Sequence, residues 1–177
     1  MAEGTGGLKM RRKSIVLCGF MGCGKSTIGS LLAKKMGMSF VDLDTYIEKK
    51  EKKTVSEIFR DCGEDYFRIK EREAVRDLSG KNGLIIAAGG GTMTFKENAD
   101  MFKKGCKIVL LDISIEAVAE RLKYDTTRPL LARPDKDKAM KELYEKRLPL
   151  YKAAADIIVD ASYSPMQVCM DIMSQLQ

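Results

Sequence analysis

The chain has 177 residues, a net charge of +6 and no histidine. That is the size of one domain able to bury a core, and no apolar run is long enough to span a bilayer. The missing imidazole removes the commonest general base and the common zinc sites, while positive charge spread along the chain, without basic runs interleaved with aromatics, excludes nucleic acid and suits small anionic ligands.

Residues 1–13 are rich in Gly, Lys and Arg and lack an apolar signal core. They read as a disordered leader, followed by a single domain over 14–177. Ser14 to Cys18 is an apolar, β-branched run that predicts a buried strand. It enters GFMGCGKST, Gly19 to Thr27, which fits G-x-x-x-x-G-K-[ST]. In such a loop bare glycine backbone turns its N–H groups toward a phosphate chain, and a helix N-terminus adds partial positive charge. Gly22, Cys23, Gly24, Lys25, Ser26 and Thr27 are therefore the nucleotide-binding candidates. Lys25 reaches β- and γ-phosphates, and Ser26 is a ligand for Mg²⁺. Cys23 reads either as a thiol activated by the helix end or as a small filler. The helix starts at about Lys25, carries Ile28, Leu31, Leu32 and Met36 inward, and closes at Gly37.

Ser39 to Asp42 is a short strand running into Leu43 and Asp44. In an open parallel sheet, ligands bind at the carboxyl ends of strands. Asp42 is thus a candidate for Mg²⁺ and Asp44 for substrate; the alternative is that both cap a helix over 45–50. Thr54 and Glu57 form a capping box for a helix ending at Gly63, and a second helix runs over about 64–78. Arg68, beside Phe67, is the cation of this pair expected to face a cleft. The segment 43–80 reads as an inserted helical substrate module.

Leu84 to Ala88 predicts the third strand, ending in Gly89, Gly90 and Gly91, where backbone packs close to a ligand or simply turns. A short helix over 98–103 ends at Gly105. Lys107 to Leu111 is the fourth strand; Asp112 after it ranks below Asp42 as a magnesium-supporting acid. Ser114 caps the next helix, with Arg121 near its end. Residues 124–138 are irregular, with two prolines, Arg128 and Arg133, and read as a mobile lid or an inert surface loop. A helix over about 138–151 places Arg147 and Tyr151 one turn apart. Asp156 to Val159 is the fifth strand, and Asp160 to Pro165 turns into a last helix. Alternating strands and helices predict an α/β fold with a parallel sheet covered on both faces. Five cysteines without a C-x-x-C pair indicate free thiols in a reducing compartment, the cytoplasm.

Several motifs now stand in order: the phosphate loop, Asp42-Leu43-Asp44, Phe67-Arg68-Ile69-Lys70-Glu71, Gly89-Gly90-Gly91, Arg128-Pro129-Leu130-Leu131 and Arg147-Leu148-Pro149-Leu150-Tyr151. Together they resemble shikimate kinase, from about Lys13 to the C-terminus. The resemblance implies a three-layer P-loop kinase fold with a five-stranded parallel sheet, and transfer of the ATP γ-phosphoryl group to the 3-hydroxyl of shikimate. It implies that Asp44 holds the ring hydroxyls and that Arg68 and Arg147 hold the carboxylate. Gly89 to Gly91 would line the ring site, and Arg128 would close with the lid. Asp42 would hold one Mg²⁺ beside Ser26, through water, and Arg121 with the Ser162 to Pro165 turn, including Ser164, would flank the adenine. Asp44 is expected to orient the hydroxyl first and accept its proton second, given its reference pKa of ~3.9. A gluconate kinase and a catalytically silent nucleotide-binding module are the competing readings. No dimer seam is evident, so the expected state is a monomer without nucleic-acid or membrane partners.

Overall fold

The computed structural model describes residues 12–125, 128 and 132–177. The expected leader over 1–11 and the lid positions 126, 127 and 129–131 lie outside the described residues. Five parallel strands form one sheet in the order β2-β3-β1-β4-β5. They are β1 (Ser14–Cys18), β2 (Ser39–Asp42), β3 (Leu84–Ala87), β4 (Cys106–Asp112) and β5 (Ile157–Asp160). The central strand β1 pairs with β3 through Ile15↔Ile85, Val16↔Ile86 and Leu17↔Ala87, and with β4 on its other side. All of β1 is buried, as expected of a strand covered on both faces.

Helix α1 (Lys25–Met36) packs against α7 (Pro165–Gln175) and against the sheet. The α3 (Val55–Ser79), α4 (Lys96–Gly105) and α6 (Lys136–Ala154) helices make a second connected layer. Helix α2 (Leu43–Glu51) joins β2 to α3, and α5 (Ile115–Arg121) leans on α6. Phe102, Leu17, Leu32, Ile86 and Ile108 are among the side chains fully enclosed between these layers. Among the described residues no helix is long and apolar enough to cross a membrane.

Several local expectations shift. Arg12 and Lys13 do not belong to a loose leader: Gly83 N–H donates to the Arg12 carbonyl at 2.8 Å, Arg12 Nη1 donates to Met36 O at 2.8 Å, and Lys13 bridges to Asn82. Helix α2 begins at Leu43, because Asp42 alone caps it, accepting from Thr45 N at 3.1 Å. The capping box at Thr54 and Glu57 is present. Gly63, at φ +83°, breaks the helical run of α3 where the two predicted helices met. Helix α6 is longer than 138–151 and runs through Pro149. The hydrogen bond that a proline removes is outweighed there by burial of Tyr151 and Ala154 beyond it.

Candidate active site

The carboxyl ends of β1, β2 and β3 lie side by side, and each delivers a different piece of chemistry. After β1, Gly22 and Gly24 adopt φ +74° and +97°, which a side chain would resist, and the loop runs straight into α1. Lys25 Nζ donates to the carbonyls of Gly19 at 2.7 Å and Phe20 at 3.2 Å, and also approaches Cys23 Sγ at 3.6 Å. The ammonium is thus held on its own loop. Cys23 is a filler: its side chain is completely buried. Burial pushes the neighbouring Cys18 thiol up to about 12, so it stays protonated.

After β2, Asp42 has two roles. One oxygen caps α2, and the other, Oδ2, accepts from Ser26 Oγ at 3.1 Å. That hydroxyl–carboxylate pair suits a small hard cation such as Mg²⁺, whose octahedral oxygens at about 2.0–2.1 Å sit roughly 3 Å from one another. Among the described residues no three Cys, Asp or Glu side chains gather into a metal cage. Mg²⁺ bound beside a nucleotide needs only one or two protein oxygens, so these residues fit it.

Asp44 lies in the first turn of α2. Its carboxyl is pushed up to about 6, first by burial, then by the charges of Asp42 and Glu71, against the opposing pull of Lys25. The reference value used in sequence reasoning does not contain this enclosure; a carboxyl raised in this way is a better proton acceptor near neutral pH.

After β3 comes the glycine triplet, and each glycine is crowded by a polar side chain. A Cβ on Gly89 would sit 3.0 Å from Asp44 Oδ1, one on Gly90 3.2 Å from Arg147 Nη1, and one on Gly91 2.7 Å from Arg68 Nη2. The triplet is where Asp44 and both candidate carboxylate-binding arginines meet. Arg68 is firmly placed. Its guanidinium lies 5.3 Å from the Phe67 ring centroid and 5.2 Å from that of Phe95, and Nη1 donates to Glu71 Oε1 at 2.8 Å. Glu71 is 1% exposed and also accepts from Thr92 Oγ1 at 2.8 Å. Asn98 Nδ2 donates to Thr92 O at 3.0 Å. Glu71, Thr92 and Asn98 form a buried support that sequence reasoning left without roles. The acid three residues after Arg68 on one helix was the available signal.

A cavity of about 540 Å³ joins the two halves, with Gly24, Lys25 and Thr27 on one side and Asp44, Gly89 and Gly90 on the other. Arg128 and Arg121 also line it. Arg128 is ion-paired with Asp125. Arg121 bridges the phosphate loop and the turn after β5, donating to Gly22 O at 3.1 Å and Ala161 O at 2.8 Å. Ser164 and Pro165 do not line this cavity. Ser164 caps α7 and Pro165 is its first residue, so only Arg121 of the expected adenine group reaches the cavity wall.

The family model for shikimate kinase matches residues 21–177. A shikimate kinase from Persephonella marina is 41% identical over 165 residues, covering 93% of this chain and 99% of its own. The chain belongs to the shikimate kinase family. A shikimate kinase from Acinetobacter baumannii, solved in complex with shikimate, superposes with a TM-score of 0.87 at 31% identity, covering 93% of each chain. A gluconokinase from Sinorhizobium meliloti, covering 94% of this chain and 93% of its own, gives 0.63 at 19% identity, which is a likeness of fold alone. This three-layer P-loop kinase fold is shared with the solved shikimate kinase.

Proposed function

We propose that this protein phosphorylates shikimate at its 3-hydroxyl, using ATP and releasing ADP and shikimate 3-phosphate, a step of aromatic amino-acid biosynthesis. The observation that carries the reading is the convergence of Asp44, Arg68 and Arg147 on the Gly89–Gly91 backbone, with Asp44, Gly89 and Gly90 in the wall of the cavity that the phosphate loop also lines. A small cyclic acid needs both features. Its carboxylate takes planar, two-pronged partners, which Arg68 and Arg147 supply. Its hydroxyl needs a carboxylate within hydrogen-bond reach, which Asp44 supplies.

In this mechanism the 3-hydroxyl oxygen attacks the γ-phosphorus and the bond from that phosphorus to the β–γ bridging oxygen breaks, leaving the electron pair on ADP. The proton of the attacking hydroxyl passes to Asp44. Phosphoryl transfer asks chiefly for alignment and charge neutralisation. Lys25 leaves the Gly19 and Phe20 carbonyls for the phosphates, and Arg128 exchanges Asp125 for the transferring group. Ser26 and Asp42 would hold Mg²⁺, which supplies charge neutralisation at the phosphates. Arg121 borders the adenine. The protein works in the cytoplasm, a reducing setting that suits five free cysteines among the described residues, and acts there as a monomer.

A coupled assay of ADP release tests the reading, run with shikimate, gluconate and nucleoside monophosphates. Turnover with shikimate alone is the expected result. Preference for gluconate, or no turnover with any acceptor, would refute it.

A further inference from the structure

Tyr151 ends the Arg147–Tyr151 motif, and no step above uses it. Its side chain is among the largest fully buried ones, at 1% exposure. The hydroxyl is nonetheless satisfied. It donates to the Gly90 carbonyl, and the Arg147 guanidinium, one helical turn earlier, packs on the same glycine, where a Cβ would sit 3.2 Å from Nη1. Burial pushes this phenol up to about 12, so it keeps the proton that it gives to Gly90.

The two arginines are therefore held differently. Arg68 is steadied by carboxylates, Glu71 at 2.8 Å and Glu64 at 3.3 Å. Those partners place it but also offset part of its charge. Arg147 makes no ion pair among the described residues; what stands beside it at Gly90 is a neutral hydroxyl. That hydroxyl is immobile, because its ring is locked in the core and a hydrogen bond ties it to the glycine backbone.

We infer that Tyr151 is a positioning residue: its hydroxyl links Arg147 to the Gly90 carbonyl and aims the guanidinium at the acid site without neutralising it. The inference rests on the reading of Arg147 as a carboxylate partner. It assigns to one buried oxygen both the spacing between α6 and the glycine triplet and the full positive charge available to the substrate carboxylate.

The test is Tyr151→Phe, which keeps the ring and removes only the oxygen. Loss of one such hydrogen-bonding group should raise the KM for shikimate about fivefold. The KM for ATP and kcat should stay within about twofold, because the phosphate loop is untouched. In an Arg147→Ala background the same change should add nothing to the KM for shikimate, since the group it positions is gone. An unchanged KM for shikimate in Tyr151→Phe would overturn the inference. So would parallel rises in both KM values or failure to fold, which would mark Tyr151 as a general core residue, and so would an undiminished effect without Arg147. A wild-type enzyme inactive on shikimate would defeat the functional reading and this inference with it. An active wild type with an unaffected Tyr151→Phe would defeat this inference alone.

Discussion

The two halves of the cavity are built on opposite plans. The phosphate half comes from one contiguous stretch, Gly19 to Thr27, and its chief cation is parked: Lys25 rests on two carbonyls of its own loop. The acid half is gathered from α2 and the β3 end, with the α3 and α6 arginines packed on its glycines, and its cations are already set. Arg68 is fixed between two rings and a buried glutamate, and Arg147 stands against Gly90 beside the Tyr151 hydroxyl. A nucleotide must therefore draw its contacts away from internal partners, whereas a cyclic acid enters a site whose donors need little rearrangement. Preorganisation of that kind favours selectivity for shape, and exchangeable contacts favour turnover of a common co-substrate.

The sharpest way to break the contrast is Asp44→Asn, which removes the proton acceptor and leaves the phosphate loop alone. Turnover should fall by roughly 10²–10⁴, with ATP affinity, measured by titration calorimetry, within about twofold of wild type. Next comes Arg68→Lys, which keeps charge but loses the planar fork and the stacking on Phe67 and Phe95. The KM for shikimate should rise about 10- to 100-fold with little change in the KM for ATP.

A pH profile comes third. Asp44, at about 6, must be ionised to accept a proton, so kcat/KM for shikimate should drop about tenfold per unit below that value. An acid limb near the ordinary aspartate range would mean that Asp44 is not the titrating base.

The smallest effect is on stability. A carboxyl raised in the folded state favours folding while protonated, and that contribution is lost as pH rises from about 4 through about 6. Ionised Asp44 thus costs the native enzyme about 3 kcal/mol at neutral pH. Asp44→Asn should raise the melting temperature by roughly 6–12 °C at pH 7.5 while sharply lowering activity, measured by calorimetry in parallel with the assay.

The same contrast explains what could be read from the chain. The phosphate loop was legible because strand, glycines, lysine and helix follow one another within one stretch. The five strands were legible from short apolar runs, and their ends shifted by a residue or two where capping or burial decided. The acid half was legible only as scattered motifs. Arg68 and Glu71 share one helix, so their pairing was within reach of spacing. Thr92 against Glu71, Asn98 against Thr92 and Tyr151 against Gly90 join positions brought together only by packing of separate elements, the last two lying 61 positions apart. The basicity of Asp44 was hidden for the same reason, since it comes from enclosure and from Asp42 and Glu71.

The pairing of β1 with β3 carries one last implication. Gly19 follows the first of these strands and Gly89 the other, and Ala88 N–H donates to Leu17 O at 3.0 Å to fasten them just before they part. Neighbouring strands run about 4.8 Å apart, so the ladder works as a ruler between donor and acceptor compounds. Slipping it by one residue would displace one against the other by roughly 3.3 Å, about the whole gap that an in-line transfer can span. Reaction distance in this enzyme is then a property of main-chain pairing, far less open to drift than any side chain around it.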